Sequence, residues 1–277
     1  MADKKNVIIT GGSKGLGYKL AEAFIKDGHN LLICARDEKN LIQAYVKLKK
    51  KCVKNQKIIF KCCDISAHLD VVNLFKFASE EFQGKLDVLI NNAAILGNIG
   101  NFYTTHLNGW RNVFETNLFG TVHVTKEAIP LLKKSRCAHI INIGSSQPYT
   151  PDPKFSQYAA SKSALFSLTL SLSENLKSKK IAVNFVMPGG MSTSMNEEKI
   201  RAGSRILGKK IYDTLLKRKL SGGVNITKTT KFILNLCQIN NKIINGKILS
   251  AQHDNLDLIL KRPNKEIKNL YLLKRIQ

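Results

Sequence analysis

The chain has 277 residues, 43% hydrophobic and 23% charged, which fits one large domain or two small ones around a sizeable core. Its 44 Lys and Arg against 20 Asp and Glu give a formal charge of +24. That charge admits attraction of nucleic acid, attraction of an anionic small molecule, or a solvated lysine-rich surface. The basic residues cluster at 47–61, 209–219 and 261–275 without interleaved aromatics, and no zinc-finger or RNA-binding motif occurs. The solvated surface therefore leads, and no nucleic-acid partner is expected. No apolar run is long enough to span a membrane, and no histidine spacing suggests a metal. None of the six cysteines forms a C-x-x-C pair, so free thiols in a reducing compartment are expected. The N-terminus leads straight into an apolar run without a signal peptide, so a cytoplasmic location is expected.

Residues 6–10, N-V-I-I-T, read as a strand. Gly11, Gly12, Ser13, Lys14, Gly15, Leu16 and Gly17 follow, then a helical pattern with Leu16, Leu20, Ala23 and Phe24 on one face. Strand, glycine turn and helix are the context of a phosphate-binding loop. Glycines let the backbone approach a pyrophosphate, and the helix N-terminus points amide donors at it. A second strand at 31–35 runs into Arg36 and Asp37. The end of this strand meets the adenosine ribose in such folds, where a basic residue accommodates a 2′-phosphate. Arg36, helped by Lys14, favours NADP over NAD, and Asp37 reads as the start of the next helix.

That helix carries Leu41, Ala44, Tyr45 and Leu48. A third strand is expected at 57–62, and Ser66 as the N-cap of a helix through Phe82. A fourth, almost wholly apolar strand at 86–90 runs into Asn91, Asn92, Ala93 and Ala94, as in a parallel sheet covered on both faces. Residues 110–133 read as one long helix containing Asn117 and Gly120, both costly inside a helix. They imply a kink, a tight contact or a bound water there. A fifth strand at 138–143 ends before Ser145, and a proline-rich loop leads to a helix at 155–176, nearly apolar all round. A sixth strand at 181–186 precedes Pro188, Gly189 and Thr193. Residues 197–219 read as helical and basic, broken at Gly203 and Gly208, either a mobile cover over a site or a solvated excursion. A helix at 228–237, a short strand at 247–250 and a charged tail at 252–277 complete the chain.

Tyr158 and Lys162 stand four apart on the 155–176 helix, so they share a face. A cation beside a phenol favours the phenolate. Moving a tyrosine from about 10 to about 7 takes roughly 4 kcal/mol, which one cation about 4 Å away can supply at an effective dielectric of about 20. The pair can therefore handle a proton near neutral pH.

Taken together these motifs resemble the short-chain dehydrogenase/reductase superfamily over roughly residues 5–195. T-G-G-S-K-G-L-G at Thr10–Gly17 resembles its cofactor loop, and N-N-A-A at Asn91–Ala94 its N-N-A-G element, with Ala94 in place of glycine. Asn117, Ser145, Tyr158 and Lys162 match its catalytic tetrad. Pro188, Gly189 and Thr193 match its nicotinamide-side stretch, and Asp64, followed by Ile65, its adenine-side aspartate. The resemblance implies a single doubly wound, Rossmann-type α/β domain spanning 1–277, a three-layer sandwich around a mostly parallel sheet of about seven strands. A substrate loop is expected at about 190–220. Gly11, Ser13, Lys14, Gly15, Leu16, Gly17, Arg36, Asp64, Ile65, Asn91, Ala93, Tyr158, Lys162, Pro188, Gly189 and Thr193 would hold NADP. It further implies that Tyr158 protonates a carbonyl oxygen, that Ser145 bonds it, that Lys162 lowers the tyrosine pKa and bonds the nicotinamide ribose, and that Asn117 relays protons through water. A homodimer or homotetramer is the family habit.

The substrate is less legible. 3-Oxoacyl carrier-protein reductases share every motif above. The stretch at 250–254 and the ending L-Y-x-L-x-R-I at 270–276 are similar to reductases of sugar or surface-polysaccharide biosynthesis. Non-catalytic NADP(H)-binding sensors are a third class, but these commonly lose the serine, tyrosine or lysine.

Overall fold

The first two strands set the layering. In β1 (Asn6–Thr10) Val7 and Ile9 enter one apolar layer and Ile8 the other. In β2 (Asn30–Ala35) Leu31 and Ile33 join the first layer, Leu32 and Cys34 the second. The period of two is the strand pleat. Both faces are apolar because helices cover both. Each of these aliphatic side chains is fully buried and contributes about 1.5–3 kcal/mol. An aspartate at Ile8 would break the layer it enters.

The computed structural model describes residues 4–53, 55–263 and 266–267. Five further strands are β3 (Ile58–Cys62), β4 (Val88–Asn91), β5 (Ala138–Ile143), β6 (Ile181–Met187) and β7 (Ile248–Ser250). They form one seven-stranded sheet in the order β3-β2-β1-β4-β5-β6-β7. Every pairing is parallel, with Ile8 opposite Leu32 on one side and Leu89 on the other. The order reverses between β1 and β4. A crevice opens there at the carboxyl ends of the strands, the place where such sheets bind ligands.

The helices are α1 (Gly15–Lys26), α2 (Glu38–Lys49), α3 (His68–Glu81), α4 (Leu107–Phe114), α5 (Gly120–Leu132), α6 (Ser156–Asn175), α7 (Ser194–Arg201), α8 (Gly203–Leu207), α9 (Lys209–Ser221), α10 (Ile226–Leu236) and α11 (Leu256–Leu260). Leu20 and Phe24 of α1, Leu41 of α2 and Phe232 of α10 pack on one sheet face. Val71 and Leu74 of α3 and Val124 and Ala128 of α5 pack on the other. On α6, Leu165 and Phe166 meet Phe185 and Ile248 of the sheet. Among the described residues no helix is long and apolar enough to cross a membrane.

Three expectations change. The single helix over 110–133 is α4 and α5 joined by a π-helical turn at Glu115–Phe119. The disturbance foreseen at Asn117 and Gly120 is this turn, of a kind that often marks functional sites. Gly120 is a close contact too: a Cβ there would stand 2.8 Å from Cγ1 of Ile65. Ser66 does not cap α3. Ala67 holds that position without a side-chain bond, because the Ser66 hydroxyl donates to Oδ1 of Asp64 at 2.7 Å. The basic stretch at 197–219 is three helices, with breaks at Ala202 and Gly208 rather than at Gly203 and Gly208. The L-Y-x-L-x-R-I ending at 270–276 lies outside the described residues. The S-A-x-x-D stretch is a turn after β7 in which Asp254 accepts from the Ser250 amide at 2.6 Å.

Candidate active site

Thr10 closes β1 and ties two strand ends together. Its Oγ1 accepts from the amides of Asn92 at 3.0 Å and Ala93 at 3.1 Å, just beyond β4. The glycine turn then runs against this junction. Gly11 has φ +65, and a Cβ on it would lie 2.9 Å from Cα of Ala93. A Cβ on Gly17 would lie 2.2 Å from the Gly11 carbonyl oxygen. Only glycine fits either place. No side chain caps α1, and its first residues Gly15 and Leu16 line the cleft beside Ser13 and Lys14. Thr193 stands across this turn, with its Cγ2 3.6 Å from where a Gly15 Cβ would be. A bare helix N-terminus behind a turn that excludes side chains fits the pyrophosphate of a dinucleotide.

A cavity of about 300 Å³ extends from this turn along β2, lined by Cys34, Ala35, Arg36, Asp64, Ile65 and Ala93 among others. Arg36 and Lys14 are its cations. Asp37 borders it, but its Oδ1 accepts from the Asn40 amide at 2.9 Å and caps α2. Those Asn40 bonds hold its carboxyl below the usual range. The Asp64 carboxylate accepts from both the amide and the hydroxyl of Ser66. Of the expected cofactor residues, Gly17, packed against the Gly11 carbonyl, and Asn91 do not line this cleft. Asn91 is buried, and its Nδ2 donates to Asn142 at 2.9 Å and Thr125 at 3.2 Å, bracing β4 against β5 and α5. Its neighbour Asn92 lines the cleft instead.

Ser145, Tyr158 and Lys162 meet in a second cavity of about 1020 Å³, continuous with the glycine turn and lined also by Pro188, Gly189 and Thr193. Ser145 follows β5; its hydroxyl accepts from the Gln147 amide at 3.3 Å and lies close enough to the Tyr158 phenol to lower its pKa. Burial pushes that phenol up to about 12, opposed only by Ser145. Burial pushes Lys162 down to about 8. Its Nζ donates to the Ile143 carbonyl at 2.8 Å and lies 5.7 Å from the Tyr158 ring centroid. The causes that act on the Tyr158 phenol in the folded chain are burial and Ser145. Desolvation is the larger cause of the shift. Asn117 is fully buried in the π turn, bonded to the Ile95 amide at 2.8 Å, the Ile95 carbonyl at 2.9 Å and the Ser161 hydroxyl at 3.0 Å. It fixes the loop after β4 against α6.

The outer wall of this cavity comes from α7 and α9. Leu207 and Leu215 pack with Leu96, Phe155 and Tyr158 in one apolar cluster, so the 197–219 stretch covers the site. Sequence reasoning left unassigned the residues that line this wall, including Phe155, Met195, Lys199, Lys210 and Arg218. Their signal was the charge of this stretch together with its glycine breaks, which alone did not say which side faced the cleft.

The glycine turn thus leads along one cleft to Ser145 and to the buried Tyr158 and Lys162. The short chain dehydrogenase family profile matches residues 5–203. The chain belongs to that family. It is 33% identical over 189 residues to an uncharacterized oxidoreductase of Schizosaccharomyces pombe, covering 68% of this chain and 61% of that protein. It is 34% identical over 203 residues to the chloroplastic chlorophyll(ide) b reductase NOL of Oryza sativa subsp. japonica, covering 70% and 57%. It is 35% identical over 196 residues to dehydrogenase/reductase SDR family member 7B of Xenopus tropicalis, covering 69% and 62%. The matches thus span about three fifths of these relatives. A crystal structure of an actinorhodin polyketide ketoreductase variant with NADPH superposes with a TM-score of 0.79 at 24% identity, covering 90% of this chain and 97% of that one. NAD+-bound xylitol dehydrogenase follows at 0.78 and 19% identity, covering 89% and 96%. Both show the same fold.

Proposed function

We propose that this chain is an NADPH-dependent carbonyl reductase. The observation that carries the reading is the Tyr158 phenol, buried beside Ser145 at the end of a cleft that begins at the glycine turn. NADPH bound along that cleft would supply hydride to a carbonyl carbon. The chain's own residues do the rest. Gly11, Ser13, Gly15, Leu16, Gly17 and Thr193 hold the pyrophosphate, and Arg36 with Lys14 holds a 2′-phosphate. Asp64, Ile65 and Ala93 border the adenine, and Pro188 and Gly189 the nicotinamide. Ser145 donates to the carbonyl oxygen, and Tyr158 gives it a proton. With its pKa near 12, Tyr158 is protonated at neutral pH, so the resting charge state suits reduction rather than alcohol oxidation. Lys162 holds the ribose and steadies the charge left on the phenol. Asn117 braces the loop after β4 against α6 and would relay a proton to Lys162 through water.

The large substrate end, with Lys199, Lys210 and Arg218 on its wall, suits a substituted carbonyl compound such as a keto sugar or sugar nucleotide. A 3-oxoacyl thioester is the second reading, supported by the ketoreductase architecture. A non-catalytic NADP(H) sensor is disfavoured by the retained Ser145, Tyr158 and Lys162. The chain would work in the cytoplasm as a homodimer or homotetramer, which sedimentation tests. The assay is NADPH oxidation against keto sugars, 3-oxoacyl thioesters and simple ketones. Turnover of one class names the substrate. NADPH binding without turnover of any class would favour the sensor.

A further inference from the structure

The wall of the substrate cavity contributed by α7 and α9 is cationic. Lys199, Lys210 and Arg218 all line it, on the same side as Phe155 and Leu215, which pack with Tyr158. Arg218 lies directly over the backbone after β6: a Cβ on Gly190 would stand 2.6 Å from its guanidinium carbon. Lys199 rests on the Phe155 ring, its Nζ 4.6 Å from the centroid. Among the described residues none of the three side chains forms an ion pair. Asp152 is the one carboxylate lining the same cavity. Its Oδ1 accepts from the Lys154 amide at 2.9 Å and caps the turn at Pro153–Phe155. Among the residues that line the cavity, the three cations of this wall face one carboxylate, and Glu198 of α7 also acts on Lys199, so the cations of this wall are only partly balanced. Lys199 is held below the usual lysine range by burial and by Arg218. Like charges gathered in a half-covered pocket cost free energy unless an anion joins them.

We propose that Lys199, Lys210 and Arg218 form an anion-binding clamp, so that the carbonyl substrate carries a phosphate or carboxylate group held at the outer end of the cleft. The inference rests on the reductase reading and narrows its substrate class. Lys199 and Leu215 of this wall pack on the cluster that holds Phe155 and Tyr158, and an anion that binds here while NADP already fills the cradle belongs to the substrate. A planar guanidinium offers paired donors to either oxyanion, and the two lysines act as point charges.

Two measurements test it. The first compares kcat/KM for matched carbonyl pairs: dihydroxyacetone phosphate against dihydroxyacetone, acetoacetyl-coenzyme A against its N-acetylcysteamine thioester, and 4-oxopentanoate against its methyl ester. Wild type should prefer the anionic member of at least one pair by about tenfold or more. The first two pairs report phosphate near to and far from the carbonyl, and the third reports carboxylate. In Arg218→Ala and Lys199→Met that ratio should fall toward one, while NADPH affinity, read by fluorescence, stays within about threefold. The second measurement needs no turnover: titration of inorganic phosphate and of acetate into the NADP-loaded protein by calorimetry. One of them should bind wild type and bind both variants about tenfold or more weakly. Equal ratios in wild type and variants, or no anion binding to the loaded protein, overturns the clamp. Anion binding that depends on Arg218 but without turnover of any carbonyl overturns the reductase reading and leaves the clamp standing.

Discussion

Lys162 donates its Nζ to the Ile143 carbonyl oxygen at 2.8 Å. That bond anchors the ammonium to the end of β5, beneath Ser145, and keeps it 5.7 Å from the Tyr158 ring centroid. The cation is thus a fixed feature of the cleft floor. Its charge is the group there that titrates near neutrality, because burial brings it to about 8 while Tyr158 stays protonated to about 12.

A pH profile follows from those two values. Below about 8 Lys162 is charged and can stabilise the phenolate formed as Tyr158 gives up its proton; above it the charge is lost. The reduction rate is therefore expected to be level between pH 6 and about 8 and to fall above it. Steady-state kcat/KM against pH checks this, and a rate still rising at pH 9 contradicts it.

His139 predicts an acid-sensitive core. It is fully buried in β5, its Nδ1 has no hydrogen-bond partner, and burial lowers its pKa to about 4. Between about 6.5 and 4 the unfolded chain binds this proton and the folded chain does not, so stability is lost as pH falls through that window. The loss attributable to this group reaches about 3 kcal/mol. His139→Gln should show a correspondingly smaller drop between pH 7 and pH 4.5 in urea unfolding. Equal drops in both proteins would remove the role given to His139.

Arg36 should decide the coenzyme. Arg36→Ala is expected to weaken NADPH by about 10–100-fold, the worth of one charge-assisted contact to a phosphate, and NADH by less than about threefold. Fluorescence titration with both coenzymes measures it. Parallel losses would show that Arg36 does not meet a 2′-phosphate.

Gly17 tests the cradle. A methyl group there would lie 2.2 Å from the Gly11 carbonyl oxygen, so the turn must open to accept it. Gly17→Ala should lose NADPH affinity by about 100-fold or more while retaining the far-UV signature of the sheet and helices. Unaltered affinity would mean that the turn is not the pyrophosphate site.

Local patterns carried much of this architecture. Strands 6–10 and 138–143 fall where alternating or continuous apolar runs place them, and Asp37 begins α2 as its position suggested. The glycine turn and the Tyr158–Lys162 spacing were legible because each depends on neighbours within one turn of chain. What was not legible depends on residues far apart. Asn91 looks like part of a cofactor motif, but its side chain is claimed by Asn142 and Thr125 across the sheet. The π turn at Asn117 is held by Ile95 and Ser161, and no helical period announces an extra residue. The Lys162 carbonyl partner comes from β5, nineteen residues earlier, so the charge balance of the pair could not be read from its spacing. The cations of α7 and α9 looked like ordinary solvated lysines until the packing of Leu207 and Leu215 on Tyr158 turned that stretch over the cleft.

The central claim is that Tyr158 is the proton donor of a hydride-transfer site, and Tyr158→Phe tests it most directly because it removes one hydroxyl and little volume. Measured with a carbonyl compound that wild type reduces, the variant should lose about 10²–10⁴-fold in kcat while its NADPH affinity stays within about threefold. A variant that binds NADPH normally and turns over at a near-wild-type rate would contradict the assignment.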